Sequence, residues 1–139
     1  MDNSKIFVAK IENLDIANAF LNEQLDALDV TAKERMQLEL AFEELFTNVS
    51  NYSYGEDVGK VEVGVTYKDD ECLLVIKVSD SGTPFNPLER ETPDLTLSAD
   101  DRPIGGLGIF MVKKNVDDIT YDYVDGENVV TLYKKIGCK

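Results

Sequence analysis

Hydrophobic and polar positions alternate along the chain in short periodic stretches, each of which predicts an element. Residues 6–11 form an apolar-rich run that predicts a first strand. From Leu14 onward, Ile16, Phe20, Leu21, Leu25 and Leu28 recur at helical spacing, and the pattern lapses near Asp29. Thr31 followed by Glu34 is a capping-box pattern, in which hydroxyl and carboxylate satisfy free N–H groups at a helix start. A second helix is therefore expected over about 32–51. Val61, Val63, Val65 and Tyr67 then alternate with Glu62, Gly64, Thr66 and Lys68, and after Asp69-Asp70 comes the apolar run 72–78. Two strands, joined as a hairpin, follow from that.

All four prolines fall between positions 84 and 103, among Asn, Thr, Ser and acidic residues. No regular element fits there, and loops of this length in compact domains usually act as lids or binding loops. Gly105-Gly106-Leu107-Gly108 then opens a third helix carrying Ile109, Phe110, Met111, Val112 and Val116, whose early turns are apolar nearly all round and so predict burial. Two last strands, 118–124 and 128–135, meet at Asp125-Gly126, a strong hairpin turn signal. Neither an internal repeat nor a second domain is visible. One domain over residues 1–139 is expected, with a lid at about 85–104.

Composition narrows the chemistry. The chain has 139 residues, 43% of them hydrophobic, enough for a core and too many for disorder. Fourteen basic against 27 acidic side chains leave a net charge of −13, which repels phosphodiester backbones and sets nucleic acid aside as a partner. Histidine is absent, which removes Ser-His-Asp and Cys-His catalysis, imidazole metal ligands and phosphohistidine chemistry. Cys72 and Cys138 show neither a paired framework nor metal-ligand spacing, so ordinary reduced thiols are expected. No segment approaches the roughly 18 apolar residues needed to cross a bilayer, so no membrane is expected and the cytoplasm is the anticipated location.

Three stretches carry chemistry. On the second helix, at about 100° per residue, Leu38, Phe42, Leu45 and Val49 form an apolar stripe, Glu39, Glu43 and Ser50 point away from it, and Gln37, Glu44 and Asn48 fall on its shoulder. The i, i+4 spacing stacks the Glu44 carboxylate beside the Asn48 amide, so one can take a proton while the other offers a carbonyl oxygen to a cation such as Mg²⁺. Such pairs are also common as plain surface. In "VSDSGTPF" an apolar strand ends in Asp80, Ser81 and Gly82; that aspartate either closes an Asx turn or presents a carboxylate to an exocyclic amine such as that of adenine. In "RPIGGLGIFMVKK" the glycines either hinge a lid or let backbone N–H groups approach phosphate oxygens at the positive end of a helix. The spacing is not Walker A, and GxGxxG does not fit.

The order of these stretches resembles the GHKL ATPase superfamily, the Bergerat ATP-binding fold. "LELAFEELFTNVSNYSYG", "VSDSGTPFNP" and "GGLGIFMVKKNVDDITY" are most similar to the serine-protein kinases that act as anti-sigma factors in bacterial partner switching. The resemblance implies an α+β two-layer sandwich, its mixed, mostly antiparallel sheet covered on one face by three helices. It implies Glu44 as general base, Asn48 as Mg²⁺ ligand and Asp80 as reader of the adenine amine, with Gly82 allowing close approach of the base. Gly105, Gly106, Leu107 and Gly108 would bind the cofactor, Gly106 and Gly108 with N–H groups near the phosphates, and Arg102 in the lid would be a further phosphate contact. The cofactors implied are ATP and Mg²⁺. The partners implied are a small serine-bearing anti-sigma-factor antagonist, a sigma factor, and a second copy of the chain joined through the first strand and helix. Pro84 stands where many relatives have a second glycine, which stiffens that turn, and residues 14–30 hold no Lys or Arg although such members can dock through a basic residue there. Two other readings stay open: a nucleotide-gated binding module without phosphoryl transfer, and an α/β interaction module without nucleotide.

Overall fold

The computed structural model describes residues 2–50, 59–84, 86–89 and 106–137. Five strands, β1 (Asp2–Val8), β2 (Lys60–Lys68), β3 (Leu73–Asp80), β4 (Asp118–Val124) and β5 (Glu127–Lys135), form one sheet in the order β1-β2-β3-β5-β4. Of the expected mixed, mostly antiparallel sheet the antiparallel character holds, and among the described residues all four pairings are antiparallel, with no parallel pair to make it mixed. Three helices, α1 (Leu14–Asp26), α2 (Ala32–Asn48) and α3 (Gly106–Asn115), complete the α+β architecture.

Alternation along the strands builds the layer between sheet and helices. Val61, Val63 and Val65 of β2 and Leu74, Ile76 and Val78 of β3 are buried in one cluster with α1 and α2 residues such as Leu21, Leu25, Leu38 and Phe42. Intervening positions such as Glu62, Thr66, Lys77 and Thr120 line the opposite, open face.

The capping box at Thr31 forms with both bonds: Glu34 N donates to Thr31 Oγ1 at 3.1 Å and Thr31 N to Glu34 Oε1 at 3.0 Å. Arg35, one turn further, donates to Asp26 Oδ1 and Asn22 Oδ1 and so ties α2 to α1. The four apolar stripe residues of α2 are all buried. At the far end Val49 and Ser50 take a wider π-type turn, and Ser50 Oγ donates back to Phe46 O at 3.0 Å; position 51, the expected helix end, lies outside the described residues. Lys134 Nζ donates to Asn115 O at 2.9 Å and, with Lys113 and Lys114 in the last turn, places positive charge at the negative end of α3. Ile109 and Val112 of that helix are buried, whereas Met111 is exposed.

Boundaries move where the reading rested on apolar runs alone. The first strand was expected over 6–11; it spans Asp2–Val8, and Ile11 lies in a one-turn 3₁₀ helix. Pairing carries it through polar residues, from Asp2↔Thr66 to Val8↔Lys60. The first helix stops at Asp26, where the N–H of Ala27 closes the last turn on Gln24 O and Leu25 O. The 72–78 run becomes Leu73–Asp80, so Asp80 is a strand residue. β4 matches its predicted span, and the turn at Asp125 and Gly126 has positive φ at both residues, 53° and 81°, as a two-residue hairpin loop requires.

The expectation of two reduced thiols is corrected, because Cys72 is disulfide-bonded. The chain's other cysteine, Cys138, lies outside the described residues. The physical setting is the register: Leu73 pairs with Lys135 and Ile136 N donates to Cys72 O at 3.0 Å, so the sheet brings the end of β5 to the β2–β3 turn that carries Cys72. Linear spacing carries no trace of that.

Candidate functional site

Asn48 closes α2. Its stripe neighbours Leu45 and Val49 are packed into the core, which turns the shoulder of the helix toward the sheet and leaves Asn48 only 6% exposed. There its Nδ2 is buried without a hydrogen-bond partner among the described residues. A buried amide group left unpaired costs about 1–3 kcal/mol, so it marks a place where a ligand or water belongs.

Asp80 faces it from the sheet. As the last residue of β3 it is 4% exposed, and its Oδ1 accepts from Gly82 N at 2.9 Å, the Asx-turn bond anticipated from sequence. The turn reading is thus met, and the bond that closes the turn uses Oδ1. Oδ1 also accepts from Asn128 Nδ2 at 3.0 Å.

Asn48 and Asp80 line one small cavity with Leu45, Val49, Val78, Pro87, Asn128 and Val130. Its volume is about 20 Å³, room for a water and not for a purine. A larger hollow of about 800 Å³ lies on the open face of the sheet, where it includes Thr66, Lys77, Thr131 and Tyr133 and none of the predicted site residues that are among the described residues. The small cavity is the chemically meaningful one, because the unpaired amide and the sheet-end carboxylate converge there.

Glu44 is half-buried one helical turn before Asn48 and is not among the residues lining that cavity. Gly82 joins the site through its N–H. Gly106, Leu107 and Gly108 form the first turn of α3, as the glycine cluster predicted. Arg102, Gly105, Phe85 and the lid from 90 to 104 lie outside the described residues. Among the described residues no cluster of three acidic or sulfur ligands could hold a metal by itself. Mg²⁺ at nucleotide sites is commonly held by one or two protein oxygens together with phosphates and water.

Asn128 was missed in the sequence. The pattern marks it only as the first residue of the last strand, and only the pairing Asp80↔Asn128 reveals its position beside the candidate site.

Comparison with known proteins gives a consistent picture. A family model described as a histidine kinase-like ATPase domain matches residues 7–134. The chain is similar to a protein of Listeria monocytogenes named serine-protein kinase RsbW, 35% identical over 98 residues, covering 67% of this chain and 61% of the relative. It is also similar to the anti-sigma F factor of Clostridium acetobutylicum, 27% identical over 129 residues, covering 93% of this chain and 89% of the relative. The chain thus spans about three-fifths of the first of these relatives and most of the second. A crystal structure of the RsbU and RsbW domains of a Mycobacterium tuberculosis protein shares the fold, with a TM-score of 0.71 over all of this chain and 33% of that one at 17% identity.

Proposed function

The chain belongs to the histidine kinase-like ATPase domain family, and we propose that it is an ATP-dependent serine/threonine-protein kinase of the anti-sigma type. In this reading it phosphorylates a small anti-sigma-factor antagonist and otherwise holds a sigma factor. The observation that carries the nucleotide part is the unpaired, buried Nδ2 of Asn48 on the cavity that Asp80 also lines. The names of the similar Listeria and Clostridium proteins support the kinase and anti-sigma parts.

Bound Mg-ATP supplies the transferable phosphoryl group. Asp80 accepts a hydrogen bond from the exocyclic amine of the base, and the Gly82 turn lets the base approach the chain closely. Asn48 serves the metal–phosphate end, and the backbone at Gly105, Gly106, Leu107 and Gly108, with Arg102 from the lid, serves the phosphates at the positive end of α3. Glu44 takes the proton from the attacking serine hydroxyl. Positioning and charge neutralisation carry most of such a transfer. The 20 Å³ cavity is the floor of the site, and a base enters only when Pro87 and its neighbours give way. The chain works as one ATPase domain in the cytoplasm, with a lid over about 85–104, and pairs with a second copy through β1 and α1. Exposed Ile6 and Val8 on the terminal strand β1 support that pairing.

A second reading draws on one observation, that Glu44 does not line the cavity. In it, nucleotide binding orders the lid and gates a partner surface without transfer. Radiolabelled ATP with a serine-bearing antagonist separates the two. Labelled antagonist from the parent, reduced roughly 10²- to 10⁴-fold by Glu44→Gln, is the kinase outcome. Bound nucleotide without labelled antagonist is the switch outcome. Calorimetric silence at millimolar Mg-ATP removes both.

A further inference from the structure

The hydrogen bonds around Asp80 form a chain whose direction has a consequence for specificity. Asn128, 2% exposed, sits directly opposite Asp80 across β3 and β5. Its Nδ2 donates twice, to Asp80 Oδ1 at 3.0 Å and to Thr83 O at 2.9 Å, while its Oδ1 accepts from Tyr121 Oη at 2.5 Å. Tyr121 pairs with Val130, two residues from Asn128 on the same face, so the phenol reaches it along the sheet diagonal.

The amide has one tolerable orientation. Rotated by half a turn, its oxygen would face a carboxylate and a carbonyl, neither of which can donate. Tyr121, Asn128 and Asp80 therefore form a one-way relay from hydroxyl to carboxylate, in which each bond polarises the next. With the Gly82 N–H also on it, Asp80 Oδ1 has two donors. Among the described residues nothing donates to Asp80 Oδ2, which is left as the acceptor for a ligand.

We propose that Asn128, held by Tyr121, is a positioning residue that sets base specificity: it locks Asp80 so that one carboxylate oxygen is reserved for an exocyclic amine on the purine. This rests on the nucleotide reading above and adds how the site tells an amino-purine from one without the amine. Without Asn128 the Asp80 carboxyl turns about its last bond, and the amine contact is lost while the phosphate end is untouched.

The test compares the affinities of the full chain for Mg-ATP and for the Mg²⁺ complex of purine riboside triphosphate, which differs only by lacking the exocyclic amine. In the parent, ATP binds tighter. Asn128→Leu, close in size, is expected to weaken ATP roughly 10-fold or more while leaving the amine-free nucleotide within about 2-fold, so the preference collapses. Tyr121→Phe is expected to reduce the preference about 3-fold, and it carries the test alone if Asn128→Leu does not fold. An unchanged preference in the folded variant overturns the proposal, and so does an equal loss for both nucleotides, which marks a purely structural role. A parent that binds neither nucleotide overturns the nucleotide reading itself, an outcome distinct from these.

Discussion

At Asn48 the proposed nucleotide role and the stability of the fold pull in opposite directions. Its Nδ2 is buried with no partner among the described residues, so folding desolvates a donor without a compensating protein hydrogen bond. Asn48→Leu removes that donor at similar volume and is expected to raise unfolding free energy by about 1–2 kcal/mol, read as a higher urea midpoint at unchanged slope. The same change is expected to abolish Mg-ATP binding by calorimetry. A lower midpoint would mean the amide finds a partner in solution and is not held in reserve for a ligand. That Glu44 and Asn48 share one shoulder of an apolar stripe was legible from the helical period, a pattern local to a dozen residues, but of the two only Asn48 lines the small cavity. Asn128 was not legible, because its role depends on a strand that pairs with it from 48 residues earlier in the chain.

Among the elements, those with strong local punctuation were the readable ones. The capping box states where α2 begins, and both of its bonds form. Thr31→Ala is expected to lower stability by about 1 kcal/mol in urea denaturation, with no effect on nucleotide affinity, since α2 meets the site at its other end. β1 was less readable, since its polar half is a strand only because β2 lies beside it in register. The chain beyond β5 is held by another non-local contact. Tyr67 Oη donates to Ile136 O at 2.9 Å, and Gly137 follows with φ 87°. A Cβ at Gly137 would lie 2.8 Å from that hydroxyl. Gly137→Ala therefore meets both a left-handed backbone and a clash, and is expected to cost about 2 kcal/mol or more. Tyr67→Phe in the same background tests the clash: removing the hydroxyl should recover part of the loss.

For the molecule as a whole, the charge of −13 acts against the compact state and against an anionic ligand at once. Both effects are long-range, so salt reaches them before it reaches any buried contact. From about 0.01 M to about 0.1 M the screening length falls from roughly 30 Å to roughly 10 Å. Unfolding free energy is therefore expected to rise with NaCl over that interval. ATP binding tells more, because Mg²⁺ can help in two separable ways: by reducing the ligand's charge before it meets an acidic domain, and by direct contact at Asn48. The first contribution is screened and the second, at a side chain only 6% exposed, is not. The advantage of Mg-ATP over metal-free ATP, followed by calorimetry across the salt series, is accordingly expected to shrink and then level off above zero. The level it reaches belongs to the site, and the part lost belongs to the surface charge. An advantage that vanishes entirely at high salt would leave Asn48 no part in holding the metal, and would leave its buried amide to be explained by the nucleotide alone.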